Sequence, residues 1–342
     1  MKTEIITLNK ERNVTLTAYL QGVGGEFRYV TKRPAMIVIP GGAYQFCSER
    51  EADPVALPYL KAGYQVFILR YSLGANATWP NPLDDFDQAM ALIREKADEW
   101  NLYADKIAVV GFSAGGHLAS AAATMAKNRP NAAILGYAVM NNDVKGCNVT
   151  APSTVDAVDY KTCPCFLFSS RTDNLVPIEN SIEFMGALAK YGISFESHIY
   201  AYGPHGFSTA DTSIQPKDTK MSARIPNWVD DSISWLKEVF GDFGPAGLTE
   251  PVCKARVNDD YEARYTVDCT MACLMENEEA AKLLKDWMTE VEQSGNEIVK
   301  TVSGKDHLVM KMKLIDVINY LRIPEAAPVL NEKLAKIEKR VL

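Results

Sequence analysis

Long hydrophobic runs are missing from these 342 residues. A membrane-spanning helix needs about 18 or more consecutive apolar residues, so none is expected. Met1–Leu8 holds no apolar core of the kind a secretory signal carries. A cytoplasmic location is the expectation, with a trimmed signal as the alternative. An excess of positive charge is also missing: Lys and Arg total 36 against 43 Asp and Glu, a formal net charge of -7. Binding of nucleic acid through bulk charge therefore has no support. Cysteine is sparse and odd in number, at seven, which makes a disulfide framework improbable. Cys163-Pro-Cys165 and the Cys269–Cys273 pair lack the CxxC spacing of a zinc site, and the cysteines read as small buried hydrophobes. Neither a glycine-rich dinucleotide fingerprint nor a phosphate-binding P-loop pattern occurs, so nucleotide binding has no support; the cysteine spacing suggests no metal, and no cofactor is expected. Histidine is scarcest, with four residues, and that narrows any search for a catalytic base.

What is present is a chain 47% apolar, too rich in hydrophobic runs to be disordered. Up to about residue 240, short β-rich runs alternate with amphipathic stretches. The predicted strands are Thr15–Leu20, Ala35–Pro40, Gln65–Tyr71, Ile107–Phe112, Ala132–Ala138, Cys165–Ser169 and Phe195–Ala201. Several are nearly continuous in apolar residues, as strands buried on both faces are. The predicted helices are Asp53–Ala62, Leu83–Trp100, Ala114–Lys127, Ile178–Tyr191 and Asn227–Phe240. Asp84, Asp85 and Asp87 fall in the first turn of the second, where they favour the positive end of its dipole. The alternation predicts a mostly parallel sheet flanked by helices, over residues 1–243. Gly241–Gly247 reads as a linker. Residues 250–342 lose the alternation and read as a small helical domain. Glu278–Leu284 lines up with Pro324–Leu330 at an offset of 46, which suggests two repeated helical hairpins. Two such copies would share a core that neither forms alone, and the tail offers a surface for a homo-oligomer.

The strongest chemical signal is Gly111-Phe112-Ser113-Ala114-Gly115. It lies between an apolar strand and a helix start, the context a nucleophile elbow requires. Only small residues fit around so tight a turn. It presents the Ser113 hydroxyl at the helix start, with the Ala114 N–H free to meet an oxyanion. A serine hydroxyl needs a base. His205 sits between Gly203 and Gly206 in a loop after the last predicted strand. His198 lies within that strand, His117 points down the elbow helix into the fold, and His307 falls in the tail as an exposed residue. The base in turn needs a carboxylate to fix its tautomer. Asp173, directly after the strand Cys165–Ser169, is the first candidate, with Asp143 and Asp211 as fallbacks. The oxyanion needs a second donor, and Pro40-Gly41-Gly42-Ala43-Tyr44 ends a strand where Gly42 and Ala43 would supply it. Glu49, Arg50 and Glu51 follow that loop and either line the substrate site or form a solvated charged loop. Trp79, bracketed by Thr78 and Pro80, either stacks on a sugar or packs on the body.

These pieces together resemble the acetyl-esterase and feruloyl-esterase-like family of α/β-hydrolases, related to the hormone-sensitive-lipase esterases. The likeness runs through Ile39–Tyr44, Phe67–Ser72, Trp79-Pro80, Asp105–Ala119, Arg171–Asp173, Val176-Pro177 and Gly203–Phe207. It implies an α/β-hydrolase fold with Ser113 as nucleophile, His205 as base and acid, Asp173 as orienting acid, and Gly42, Ala43 and Ala114 at the oxyanion hole. The better-known esterases carry His-Gly-Gly-Gly where this chain has Pro40-Gly41-Gly42-Ala43, a departure in the shape of the hole. The resemblance implies hydrolysis of short acyl esters, acetyl foremost, on carbohydrates or other small molecules. An amide-cleaving enzyme of the formamidase or oligopeptidase type is the alternative, and a non-enzymatic scaffold a third reading. No long apolar lid is visible, which disfavours a lipase acting at an oil interface.

Overall fold

The computed structural model of the chain describes residues 1–296, 298–299 and 307–339. They form two compact units, Met1–Ala255 and Arg256–Leu342. The first unit is built on an eight-stranded sheet: β1 (Lys2–Asn9), β2 (Val14–Leu20), β3 (Arg33–Ile39), β4 (Gln65–Arg70), β5 (Leu102–Phe112), β6 (Ala132–Gly136), β7 (Cys165–Ser170) and β8 (Phe195–Tyr200). Their order is β1-β2-β4-β3-β5-β6-β7-β8. The pairings β1–β2 and β2–β4 are antiparallel, and the rest are parallel. β1 is an edge strand that is not among the predicted ones. Its residues are half-buried at best, with Ile5 exposed, so it lacks the apolar run that marked the others.

Every residue of β3 is buried, and its alternate side chains feed two separate cores. Ile37, like Val109 of β5, joins the core filled by helices α2 (Asn81–Glu95), α3 (Ser113–Met125) and α4 (Glu179–Lys190). Met36, Val38 and Val110 join the opposite core, filled by α1 (Asp53–Lys61) and α5 (Trp228–Phe240). A strand apolar on both faces has to be covered on both, which is why the continuous runs mark the centre of the sheet. The β3–β5 register sets Val38 beside Val110 and Ile39 beside Gly111, so the loops after both strands emerge at the same edge.

Three expectations shift. β6 stops at Gly136 because Tyr137 takes a left-handed φ of 35°, outside strand geometry. Only Asp84 stands in the first turn of α2. Asp85 is buried and accepts hydrogen bonds from Arg12 (2.5 Å) and the Ser72 N–H (2.8 Å), while Asp87 accepts from the N–H groups of Lys127 and Asn128. The Gly241–Gly247 segment, read as a linker, turns through a small hairpin of β9 (Phe243–Gly244) and β10 (Gly247–Leu248). The chain then stays on the first unit to Ala255: the Ser194 N–H donates to the Ala255 carbonyl (3.0 Å) and the Ser194 hydroxyl to that of Lys254 (2.6 Å).

The second unit holds α6 (Met271–Met275), α7 (Glu278–Gln293), α8 (His307–Lys311), α9 (Leu314–Tyr320) and α10 (Ala326–Leu334) around its own apolar core. Thr270 caps α6 by accepting from the Cys273 N–H, and Asn277 caps α7 by accepting from that of Ala280, each satisfying an orphan donor of a first turn. α9 starts 43 positions after α6, and α10 starts 48 after α7. The two pairs thus share an order, short helix then longer helix, without a uniform offset.

Candidate active site

The site lies at the edge where β3, β5 and β7 end. β5 runs straight into α3 through Ser113, whose φ of 53° is the left-handed value a strand-to-helix elbow imposes. The elbow works only if α3 can come close to the sheet. A Cβ on Gly115 would lie 2.3 Å from the carbonyl oxygens of both Ile39 and Pro40, nearer than any side-chain carbon can approach. Glycine there is a condition of the architecture.

Ser113, His205 and Asp173 are brought together. The Ser113 Oγ lies 2.9 Å from Nε2 of His205, and Nδ1 of the same ring lies 2.8 Å from Oδ2 of Asp173. The carboxylate only accepts, so Nδ1 carries the proton, and Nε2 is left as the acceptor for the serine hydroxyl. Asp173 is itself fixed: its Oδ1 accepts the N–H groups of Leu175 and Val176, each at 2.9 Å. Its side chain is 1% exposed and that of His205 13%, so the acid is sealed while the imidazole remains reachable. Tyr137 packs edge-on against the His205 ring at 5.1 Å.

The fallback acids are elsewhere employed. Asp143 accepts from the Asn180 side-chain amide (2.8 Å). Asp211 accepts from the hydroxyls of Ser213 and Thr209 and from the Ser213 N–H; these bonds, the Ser213 hydroxyl first, hold its carboxyl below the usual range. The remaining histidines sit as expected. His117 is wholly buried, with Nε2 donating to the Pro152 carbonyl (2.8 Å) and Nδ1 accepting from the Tyr44 hydroxyl (2.6 Å). Burial holds it neutral, down to a pKa of about 4. His198 stacks on Phe166 and bonds Glu196. His307 is exposed at the start of α8.

The loop after β3 passes over the serine: a Cβ on Gly41 would fall 3.0 Å from that of Ser113. Gly42 has a φ of 130°, and a Cβ there would strike the Phe46 carbonyl oxygen at 2.0 Å, so glycine is required. Among the described residues, the N–H groups of Gly42, Ala43 and Ala114 donate to no acceptor. They are the donors available to a developing oxyanion.

Glu51 corrects the reading of the charged loop. Glu49 is exposed and paired with Arg70, but Glu51 is only 3% exposed. Its Oε2 accepts the Gly41 N–H (2.8 Å) and its Oε1 the Tyr137 hydroxyl (2.6 Å). That hydroxyl in turn accepts the Ser208 N–H (3.1 Å). Burial pushes the Glu51 carboxyl above the usual range, against the pull of those two bonds. The carboxylate thus ties the oxyanion loop to the ring that abuts His205. Nothing in the local sequence separates Glu51 from its solvated neighbour Glu49; only the tertiary position of Tyr137 does. Arg50 reaches the same loop, with its guanidinium 3.1 Å from where a Gly206 Cβ would stand. Trp79 is half-buried and packs edge-on against His117 at 5.4 Å, on the body of the unit.

The chain is similar to several known proteins. Residues 28–151 match the family described as BD-FAE. The chain is 41% identical to an α/β-hydrolase enzyme from a Medee basin deep-sea metagenome library, whose solved structure it covers to 98% with 70% of its own length, at a TM-score of 0.66. This chain belongs to the α/β-hydrolase family. A solved acetyl ester-xyloside bifunctional hydrolase from Caldicellulosiruptor lactoaceticus is 27% identical, with 69% of this α/β-hydrolase and 96% of that chain covered and a TM-score of 0.61. An acetylxylan esterase of Xylanibacter ruminicola is 31% identical over 196 residues, which is 51% of this hydrolase and 41% of the esterase. The endo-1,4-beta-xylanase B of Butyrivibrio fibrisolvens is 30% identical over 211 residues, 53% of this chain and 33% of the xylanase. The chain therefore spans less than half the length of these two curated relatives.

Proposed function

We propose that this α/β-hydrolase is a serine carboxylesterase that removes short acyl groups, acetyl foremost, from carbohydrate esters. The observation that carries the reading is the continuous hydrogen-bond path from Ser113 through His205 to Asp173. The Ser113 Oγ attacks the ester carbonyl while Nε2 of His205 takes its proton. The carbonyl oxygen gains a negative charge and moves onto the N–H groups of Ala114, Gly42 and Ala43. Asp173 stabilises the imidazolium, which gives its proton to the departing alcohol oxygen as the C–O bond breaks. A water then gives a proton to His205, attacks the acyl-enzyme and releases the acid, and the proton returns to Ser113. Support for acetylated sugars comes from the relatives, two of which are named for acetyl ester or acetylxylan hydrolysis.

The experiment is hydrolysis of a short aryl acetate and of acetylated xylo-oligosaccharides, with formyl-amides and peptides as comparators. The wild type is expected to show a burst of alcohol and turnover on the esters. Ser113→Ala is expected to lose at least about 10⁴-fold in kcat, as removal of a triad nucleophile does. Wild-type turnover in Ser113→Ala would refute the mechanism, and preference for the amides would refute the substrate class.

A further inference from the structure

The second unit holds three donor side chains that no step above uses. Asp260, Cys269 and Cys273 come from a loop, from the residue before the α6 cap and from α6 itself, and their ligand atoms lie within 4.8 Å of one another. The spacing of the two cysteines is not that of a CxxC knuckle, so no metal role is expected of them from the sequence alone. The fold supplies the missing ligand from nine positions upstream of Cys269. We propose that Asp260, Cys269 and Cys273 form a binding site for one thiophilic divalent cation of the zinc class.

Four features of the surroundings fit that ligand. First, the separations suit a small tetrahedral ion: two sulfurs each about 2.3 Å from a zinc stand about 3.8 Å apart, so the three donors need close by only about an ångström. Second, the carboxylate is already oriented. Asp260 accepts the Thr270 N–H (2.6 Å) and the Thr270 hydroxyl (2.8 Å) on its two oxygens, which leaves lone pairs on both for a metal, and ligating carboxylates are held this way. Third, the Thr266 N–H points at the Cys269 sulfur at 3.5 Å, a donor suited to a thiolate. Fourth, the charge closes. Two thiolates and a carboxylate around a divalent ion leave one negative charge. The Lys339 ammonium stands 3.9 Å from the Cys269 sulfur, anchored by the Asp259 carbonyl (3.0 Å) and lying over the Tyr265 ring. Cys269 is buried and Cys273 half-buried, so the ion is reached from the Cys273 side. Three protein ligands leave a fourth position for water or an exogenous donor. Binding displaces one proton from each thiol into the buffer.

The test uses the full-length chain, fully reduced, titrated with Co²⁺ as a spectroscopic stand-in and then with Zn²⁺. The proposal expects thiolate-to-cobalt charge-transfer absorption that saturates at one ion per chain and is displaced by Zn²⁺. Cys269→Ser and Cys273→Ser are each expected to lose at least about 100-fold in affinity, Asp260→Asn about 10–100-fold, and Cys47→Ser none. Alkylation mapping of the unmutated protein covers the case in which a variant misfolds: Zn²⁺ should protect the half-buried Cys273 and leave Cys253, which is also half-buried, reactive. An absent band, a band that survives loss of either cysteine, or equal alkylation of Cys273 with and without Zn²⁺ would overturn the site. None of these readouts depends on ester hydrolysis.

Discussion

A carboxylate shut away from water is costly unless its oxygens are bonded, and Glu51 satisfies both of its oxygens, one with the N–H of Gly41 beside Ser113 and one with the hydroxyl of Tyr137, whose ring abuts His205. Its position predicts a role in placing the oxyanion loop. Glu51→Ala leaves the Gly41 N–H and the Tyr137 hydroxyl without that acceptor, so the loop loses its tether. We expect kcat to fall about 10²-fold, the scale of losing one oxyanion donor, with KM changed much less. Glu51→Gln keeps one acceptor oxygen and should recover part of the loss; steady-state kinetics on an aryl acetate would show both, and an unchanged kcat in Glu51→Ala would refute the role. His117 offers a second test at this scale. It is buried neutral with a pKa of about 4, against an ordinary value of 6.5. Between those values the unfolded chain binds one more proton than the folded one, so stability rises with pH there and is lost as pH falls from 6.5 towards 4. The full contribution is about 3 kcal/mol. Urea unfolding of the wild type and of His117→Asn should therefore give stabilities that converge as pH drops from 7 to 4. Parallel curves would show that the ring's protonation is not what acid attacks.

At the scale of elements, α3 and β3 are fitted to each other through a single missing methyl group. Gly115→Ala would force that methyl against two backbone carbonyls, and backbone cannot rotate away as a side chain can. The strand end or the helix must shift, at a cost of about 1–3 kcal/mol or more, and the shift falls on Pro40, next to the oxyanion loop. The expected outcome is lower thermal stability together with loss of turnover, measured by calorimetry and kinetics on the same sample; full activity in Gly115→Ala would mean the elbow has slack. This contact also shows why the catalytic elements were legible in the sequence. The elbow's small residues, the continuous apolar runs of β3 and β5, and the order Ser113, Asp173, His205 are local patterns forced by local geometry. Edge strand β1 was missed because its side chains are only partly buried and leave a weak apolar signature. Glu51 and Tyr137, 86 positions apart, meet only through the sheet, and no periodicity announces such a pair. The donor set of Asp260, Cys269 and Cys273 is local by contrast, and it was hidden because the two cysteines lack CxxC spacing and nothing in the sequence marks Asp260 as their partner.

For the whole molecule, composition and structure divide the chain at different places, and the difference can be measured. Glycine and proline at 241–247 suggest a boundary there, yet the polypeptide remains bound to the first unit until Ala255. Val252 and Cys253 donate their N–H groups to the Glu238 carbonyl at the end of α5, and Ser194 bonds Lys254 and Ala255. A chain ending at Ala255 keeps all of these bonds along with the triad, the oxyanion loop and both cores of the first unit. It is expected to fold and to retain kcat on an aryl acetate within about threefold of the full chain, a difference of under 1 kcal/mol in activation free energy. A chain ending at Leu248 strips the acceptors from Ser194 and the donors from Glu238. With net hydrogen bonds contributing about 1 kcal/mol each, it should unfold at a lower urea concentration by about 2–4 kcal/mol of stability, with its triad residues intact. Equal stability of the two truncations would place the working boundary at the glycines after all. Loss of turnover in the longer truncation, with its fold retained, would instead assign the helical unit a part in the reaction.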